Sequence, residues 1–365
     1  GYYPYSDQYT HSYNEDTGEY SLTLTSRGNH ELTWETSKSF NVGVDFELFN
    51  GYFNGTIEWY ARKTEDLLYS KDLPLSMGAP STIPINVGSI MNKGFEVSLY
   101  GNIINTANVN WSWNLNMSHY KNTILELDES VSEKGIRGSN YIYKIGGSLY
   151  DAYMYKYAGV DPENGQALYW THNDETGEDT TTPVFSDATR YELGTVMPKL
   201  YGGFGTSLTA YGFDFSVQAS FQLGGKFYDG GYQSLMWTQK SAGSAWHKDA
   251  LKAWTPENPN TDVPRMDGDT QVAQSAVDRF LITSNYLSLN NVTLGYTFPK
   301  SMLNKIKIAG LRIYVAGENL GVLAARKGID PRFSMGLGSY TSGSGIGTSY
   351  YSAMRTITGG ITLTF

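Results

Sequence analysis

Apolar and polar residues alternate with a period of two along most of this chain, the pattern of strands whose two faces meet different surroundings. In Phe40-Asn41-Val42-Gly43-Val44-Asp45-Phe46-Glu47-Leu48 every even position is apolar and every odd one is polar or Gly. Val109, Trp111, Trp113, Leu115 and Met117 alternate with Asn110, Ser112, Asn114, Asn116 and Ser118. The same holds for Phe213, Phe215, Val217, Ala219, Phe221 and Leu223, and for Ile357, Gly359, Ile361, Leu363 and Phe365. Weaker copies run through 53–62, 93–104, 149–158, 166–172, 200–210, 285–298 and 310–319. Together these stretches predict about eleven strands from residue 36 onward. Leu287 and Leu289 are out of phase with Val292, Leu294 and Tyr296, which predicts a bulge near Asn290-Asn291.

Composition says what lies on each face. The polar phase is Asn, Ser, Thr, Gln and Gly, and charged residues make up only 17% of the 365. A soluble sheet guards its water-facing side and its edges with charge. The apolar phase is long and aromatic, with 29 Tyr in the chain, which suits lipid outside and a wet lumen inside. No run approaches the ~18 apolar residues of a membrane helix, which excludes a helical membrane protein but not a barrel. The expected connections, 49–52, 63–92, 105–108, 122–148, 159–165, 173–199, 211–212, 224–284, 299–309 and 320–354, alternate short and long. An up-and-down membrane barrel alternates in this way; a Greek-key sandwich or a propeller has no reason to. The expected fold is an all-β, transmembrane, antiparallel up-and-down β-barrel. Single-chain bacterial barrels have an even strand number, so an odd count makes this chain part of a larger one. Counting directions back from the last strand puts Phe365 at the periplasmic rim and 1–35 in an extracellular loop segment, with 36–365 forming the barrel portion. A start at Gly1 without a leader sequence reads as a processed chain or a fragment.

The search for catalytic chemistry is negative. There is no Cys, which removes thiol, disulfide and cysteine-ligated metal chemistry. A net charge of −9, from 27 basic and 36 acidic residues, disfavours a nucleic-acid-binding surface. Nucleophile-elbow, dinucleotide and phosphate-loop patterns are absent, and Gly224-Gly225-Lys226 lacks the earlier glycine spacing. The five histidines are isolated in sequence. No enzyme is expected, and no cofactor beyond a structural calcium that Asp267 and Asp269 could hold. The loop 224–284 is more informative, with Tyr228, Tyr232, Trp237, Trp246 and Trp254 close together. Flat rings on a surface stack on sugars, so Trp237, Trp246, Tyr228 and Tyr232 are the candidate ligand-binding residues. The competing reading for the two tryptophans is that they form the loop's own small core, and packing is the expected role of Trp254.

Several stretches carry a family resemblance. Asn92-Lys93-Gly94-Phe95-Glu96-Val97 is similar to the strand opening of TonB-dependent outer-membrane transporters, and Lys121-Asn122-Thr123-Ile124 resembles the close of their following strand. Leu32-Thr33-Trp34-Glu35, Gly159-Val160-Asp161-Pro162-Glu163-Asn164-Gly165, Trp254-Thr255-Pro256-Glu257-Asn258-Pro259 and Val263-Pro264-Arg265 resemble the SusC/RagA-type branch. So do Tyr286 to Tyr296, Leu311 to Leu320 and Lys327-Gly328-Ile329-Asp330-Pro331. Their order matches the C-terminal part of that family's barrel.

The resemblance implies a barrel of about 22 strands, with the plug, TonB box and first strands on another part of the polypeptide. It implies a place in the bacterial outer membrane and a SusD-like surface lipoprotein as partner. It also implies TonB-coupled import of bulky nutrients, oligosaccharides in most members and peptides in the RagA-like ones. A non-transporting structural or adhesive barrel is the alternative from another class. The long loops are expected to form a platform for the lipoprotein lid, and Phe365 to be the signal read by the outer-membrane assembly machinery.

Overall fold

The structure, a computed structural model, describes residues 3–78, 80–138, 140–237, 243–266, 277–303, 307–328, 330–334 and 353–365. Nine antiparallel strands form one sheet, each hydrogen-bonded to its neighbours in chain order. They are β1 (Thr36–Leu48), β2 (Phe53–Glu65), β3 (Ser89–Asn105), β4 (Val109–Glu126), β5 (Leu200–Ala210), β6 (Phe213–Leu223), β7 (Tyr286–Thr297), β8 (Gly310–Ala324) and β9 (Thr356–Thr364).

The register turns the sequence alternation into continuous rows. Glu47, Asn54, Tyr100, Asn114, Gly205, Gln218, Asn291, Glu318 and Thr356 are successive partners across the whole sheet. On the other face Val44, Ile57, Val97, Met117, Gly202, Phe221, Leu287 and Leu323 do the same through β8. A one-residue slip anywhere would mix the two rows, so the alternation itself holds the register. The register shifts at Asn290, where the phase of the alternation changes. Opposite it on β8, Asn319 adopts a positive φ of 49°, so the irregularity is shared by both strands. The turn after β5 has φ of 51° at Tyr211 and 91° at Gly212, the two left-handed positions of a tight hairpin.

The strand count differs from the sequence expectation. Stretches 149–158 and 166–172 are not in the wall. Asp151–Tyr155 pairs with Arg190–Thr195, and Tyr157–Val160 pairs with Ala167–His172, which pairs in turn with Asp179–Thr182. All lie in the single long connection 127–199. Their alternation is genuine, since Ala152, Met154, Ala167 and Tyr169 are buried, but what buries them is a loop core. The expected separate loops 122–148 and 173–199 are thus one. The remaining connections still alternate, with 49–52, 106–108, 211–212 and 298–309 short and 66–88, 127–199, 224–285 and 325–355 long. Among the described residues the wall therefore has nine strands in place of eleven, and β1 and β9 each have one neighbour in the sheet.

The packed hydrophobic clusters sit outside the wall. Met154, Ala167, Tyr169, Tyr228, Met236, Val263, Val277 and Phe280 form one, and Tyr141, Ala152, Val196 and Phe227 a second. Both join residues of 127–199 to residues of 224–285. A parallel bridge from Tyr155 to Val277 and a bond from Tyr157 N–H to Asp278 Oδ1 (2.8 Å) stitch the same two connections. The connections 127–199 and 224–285 therefore fold on each other into a module with its own apolar core. Ahead of the wall, Gln8–Asn14 and Glu19–Ser26 form a separate hairpin.

Candidate functional site

The loop module sorts the aromatic residues of 224–285 into two groups. Tyr228 is only 4% exposed and packs with Phe280 at 6.1 Å between ring centres. Its ring is core, which corrects its selection as a surface that stacks on ligand. Tyr232 is half-buried, with its hydroxyl donating to Asp249 Oδ2 (3.2 Å) and its ring edge against His247 at 4.8 Å. Arg326 lies 3.7 Å over the same ring, so that face is taken as well. Trp237 and Trp246 are 38% and 46% exposed and remain available to solvent. Trp254 packs, as expected: its Nε1 donates to Pro162 O (3.1 Å). Gly165, at φ 75°, lies so close that an added Cβ would meet the Trp254 ring at 2.5 Å. Arg265 completes this corner with a bond from Nη1 to Asn164 O (3.0 Å). Three motifs distant in sequence, 159–165, 254–259 and 263–265, are thus one contact.

Charge in the module is held in place by local partners. Asp229 is 2% exposed, accepts the Tyr232 N–H (2.9 Å) as the cap of helix Gly230–Met236, and pairs with Arg326 Nη1 at 2.7 Å. Burial pushes its carboxyl above the ordinary value, with the Tyr232 N–H and Arg326 pulling the other way. Burial pushes Tyr157 up to about 12 although the Arg279 guanidinium, 4.8 Å from its ring, opposes it. The Asp179 carboxyl is held below its ordinary value by hydrogen bonds from His172 (2.8 Å) and the Tyr191 hydroxyl (3.0 Å). Among the described residues no three His, Asp or Glu side chains converge on a metal-sized site. Asp267 and Asp269 lie outside the described residues.

A second site lies on the polar face of the wall at its long-loop end. Ser39, Asn41, Tyr60, Arg62, Asn92, Tyr120 and Tyr201 line most of a cleft of about 640 Å³. Their placement follows from register: Asn41 opposes Tyr60, Tyr60 and Tyr120 flank Gly94, and Arg62 opposes Asn92. Tyr120 and Tyr201 meet edge to face at 6.4 Å. Asn122 Nδ2 donates to Asn92 Oδ1 (2.8 Å), joining the two strand motifs singled out in the sequence. Arg62 Nε donates to Ser37 Oγ (2.7 Å). Rings, amides and one guanidinium on a wet concave wall offer stacking faces and hydroxyl-binding groups together. Sequence reasoning passed over this cluster. Its signal was available, because Tyr60, Tyr120 and Tyr201 are large rings in the polar phase of their strands. Phe365 ends the chain beyond β9, 90% exposed, on the short-turn side of the wall.

Known proteins share this architecture. The chain is 31% identical to TonB-dependent receptor P3 of Formosa agariphila over 94% of its own length and 35% of that protein. It is 27% identical to TonB-dependent receptor SusC of Bacteroides thetaiotaomicron over 92% of the chain and 32% of SusC. Among solved structures, the RagAB peptide transporter matches all of this chain and 39% of its own chain, with a TM-score of 0.79 and 26% identity. The chain thus spans about a third of the length of the curated relatives it matches. A family model described as TonB dependent receptor-like, beta-barrel, matches residues 3–320. With the nine-strand wall and its two unlike faces, that match places the chain in the TonB-dependent receptor β-barrel family of the outer membrane, in its SusC/RagA-type branch.

Proposed function

We propose that this chain is the C-terminal portion of a TonB-dependent importer that carries bulky nutrients, oligosaccharides first, beneath a SusD-like surface lipoprotein. The observation that carries the reading is the polar row running unbroken across all nine strands, with Tyr60, Tyr120 and Tyr201 on the same face at the long-loop end. A wall rich in Asn, Gln, Ser, Thr and tyrosine, with carboxylates such as Glu47 and Glu318 set among them, is a surface for a hydrated, hydroxyl-rich solute. Trp237 and Trp246, exposed in the connection 224–285, supply further stacking faces. In this reading the long connections are extracellular and Phe365 is periplasmic. The plug, the TonB-contacting segment and the remaining strands belong to the rest of the polypeptide. The loop module, already folded on itself, is the platform that meets the lid.

The likeness to the RagAB peptide transporter over the whole chain favours a second reading, in which the cargo is peptide. Cells expressing the full-length protein separate the two. Growth on oligosaccharides that is lost in Trp237→Ala/Trp246→Ala cells, with peptide uptake absent, supports the glycan reading. Uptake of labelled peptides by the same cells, with no glycan import, replaces it. A barrel that retains its lipoprotein after deletion of 224–284 would remove that loop from the platform.

A further inference from the structure

The outward face of the wall carries an arrangement that cargo handling does not use. Along β3 the outward positions Val97, Phe95 and Lys93 follow one another toward the long-loop end. On β2 the order is Ile57, Trp59, Ala61 and Lys63; on β1 it is Val44, Val42, Phe40 and Lys38; on β4 it is Met117, His119 and Lys121. Aliphatic residues, then aromatic rings, then lysines is the depth order of a bilayer leaflet from hydrocarbon through interface to headgroup. Lys38 and Lys63 both pair with Glu65, at 2.5 and 2.9 Å. Lys93 and Lys121 are direct partners across the ladder, and both are exposed. Among the described residues neither has an ion pair. The loop carboxylate Asp151 lies within electrostatic reach of Lys121 but not in ion-pair contact, and it accepts the Ser148 N–H at 2.8 Å.

Like charges set opposite each other in a sheet destabilise it, and an anion between two ammonium groups offsets that repulsion. We infer that Lys93 and Lys121 hold the phosphate of a membrane lipid headgroup on the outward face of the wall, above the Phe95 and Trp59 rings. The lysine stems lie along the apolar wall while their ammonium groups reach the headgroup layer. The inference rests on the chain lying in a bilayer and is independent of cargo.

The test uses the full-length protein in nanodiscs of phosphatidylcholine doped with bis-phosphorylated lipid A, with retained lipid measured by native mass spectrometry. Lys93→Gln/Lys121→Gln should lower retention roughly tenfold to thirtyfold, given the contribution of a lysine near a charged leaflet. Lys93→Arg/Lys121→Arg, which keeps both charges, should retain the lipid, as should the loop control Lys134→Gln/Lys248→Gln. Each single Gln variant should show a smaller loss, so the inference stays testable if the double variant fails to assemble. Equal retention by wild type and the Gln variants overturns it. So does an equal loss in the loop control. Displacement of the lipid by millimolar inorganic phosphate would make this a free-anion site instead, and would also overturn it.

Discussion

Arg312 on β8 reaches past β7 to grip Asp214 on β6, with Nε 3.0 Å from Oδ1 and Nη2 2.5 Å from Oδ2. The strand between them offers Gly295 at the crossing point, where an added Cβ would meet Asp214 Oδ1 at 2.5 Å and Arg312 Nη2 at 2.7 Å. The missing side chain is what lets a two-pronged ion pair span three strands.

Gly295→Leu should therefore sever the Asp214–Arg312 bond without touching either partner. The expected loss is about 1–3 kcal/mol in unfolding by denaturant in micelles. In an Arg312→Met background the same substitution should add little, because the contact is already gone. Additive losses would show that the glycine matters for strand geometry alone.

The two rows predict unequal tolerance at adjacent positions. Val217 and Gln218 lie near the middle of β6 on opposite faces. Val217→Arg should cost about 2–4 kcal/mol if it meets the bilayer midplane, while Gln218→Arg should cost little in a wet lumen. Folding equilibria in lipid vesicles measure the difference.

Arg326→Met removes the charge paired with buried Asp229 and the cation over the Tyr232 ring. An orphaned buried carboxylate costs on the order of 3 kcal/mol. The expected readout is faster hydrogen exchange in 226–236, with the wall strands unchanged. Asp229→Asn in the same chain should return part of the loss, since the amide leaves no charge to bury.

The Asp179 carboxyl is held below its ordinary value of 3.8 by His172 and Tyr191. A lowered folded pKa favours the folded loop above the unfolded value, and that contribution is lost as pH falls through the lowered one. Protection of Asp179–Thr182 should accordingly fall with acid below about pH 4 in the wild type. Asp179→Asn should start lower and show a flatter profile over the same range.

Phe365, exposed at the end of β9, is the proposed assembly signal. Deleting it should lower the amount of heat-resistant barrel in outer-membrane fractions while total synthesis stays constant. An unchanged ratio would leave it an ordinary rim aromatic.

The sequence by itself determined the class of wall, its two faces, the bulge at Asn290 and the alternation of short and long connections. Each follows from a period of two, which local sterics and burial impose on every strand regardless of its partner. Packing of Trp254 was legible too, from its place in a loop large enough to need a core. The tertiary structure decided what one-sided burial was burial against. Stretches 149–158 and 166–172 alternate like wall strands, yet their inner faces meet Phe280 and Val277 in a loop module, because periodicity records that one side is covered and not by what. The same limit separated Tyr228, buried, from Trp237 and Trp246, half-exposed, within one aromatic run. It also hid the cleft of Tyr60, Tyr120 and Tyr201 and the facing pair Lys93 and Lys121. Both come from register between strands, a relation between distant segments that no single stretch of sequence contains.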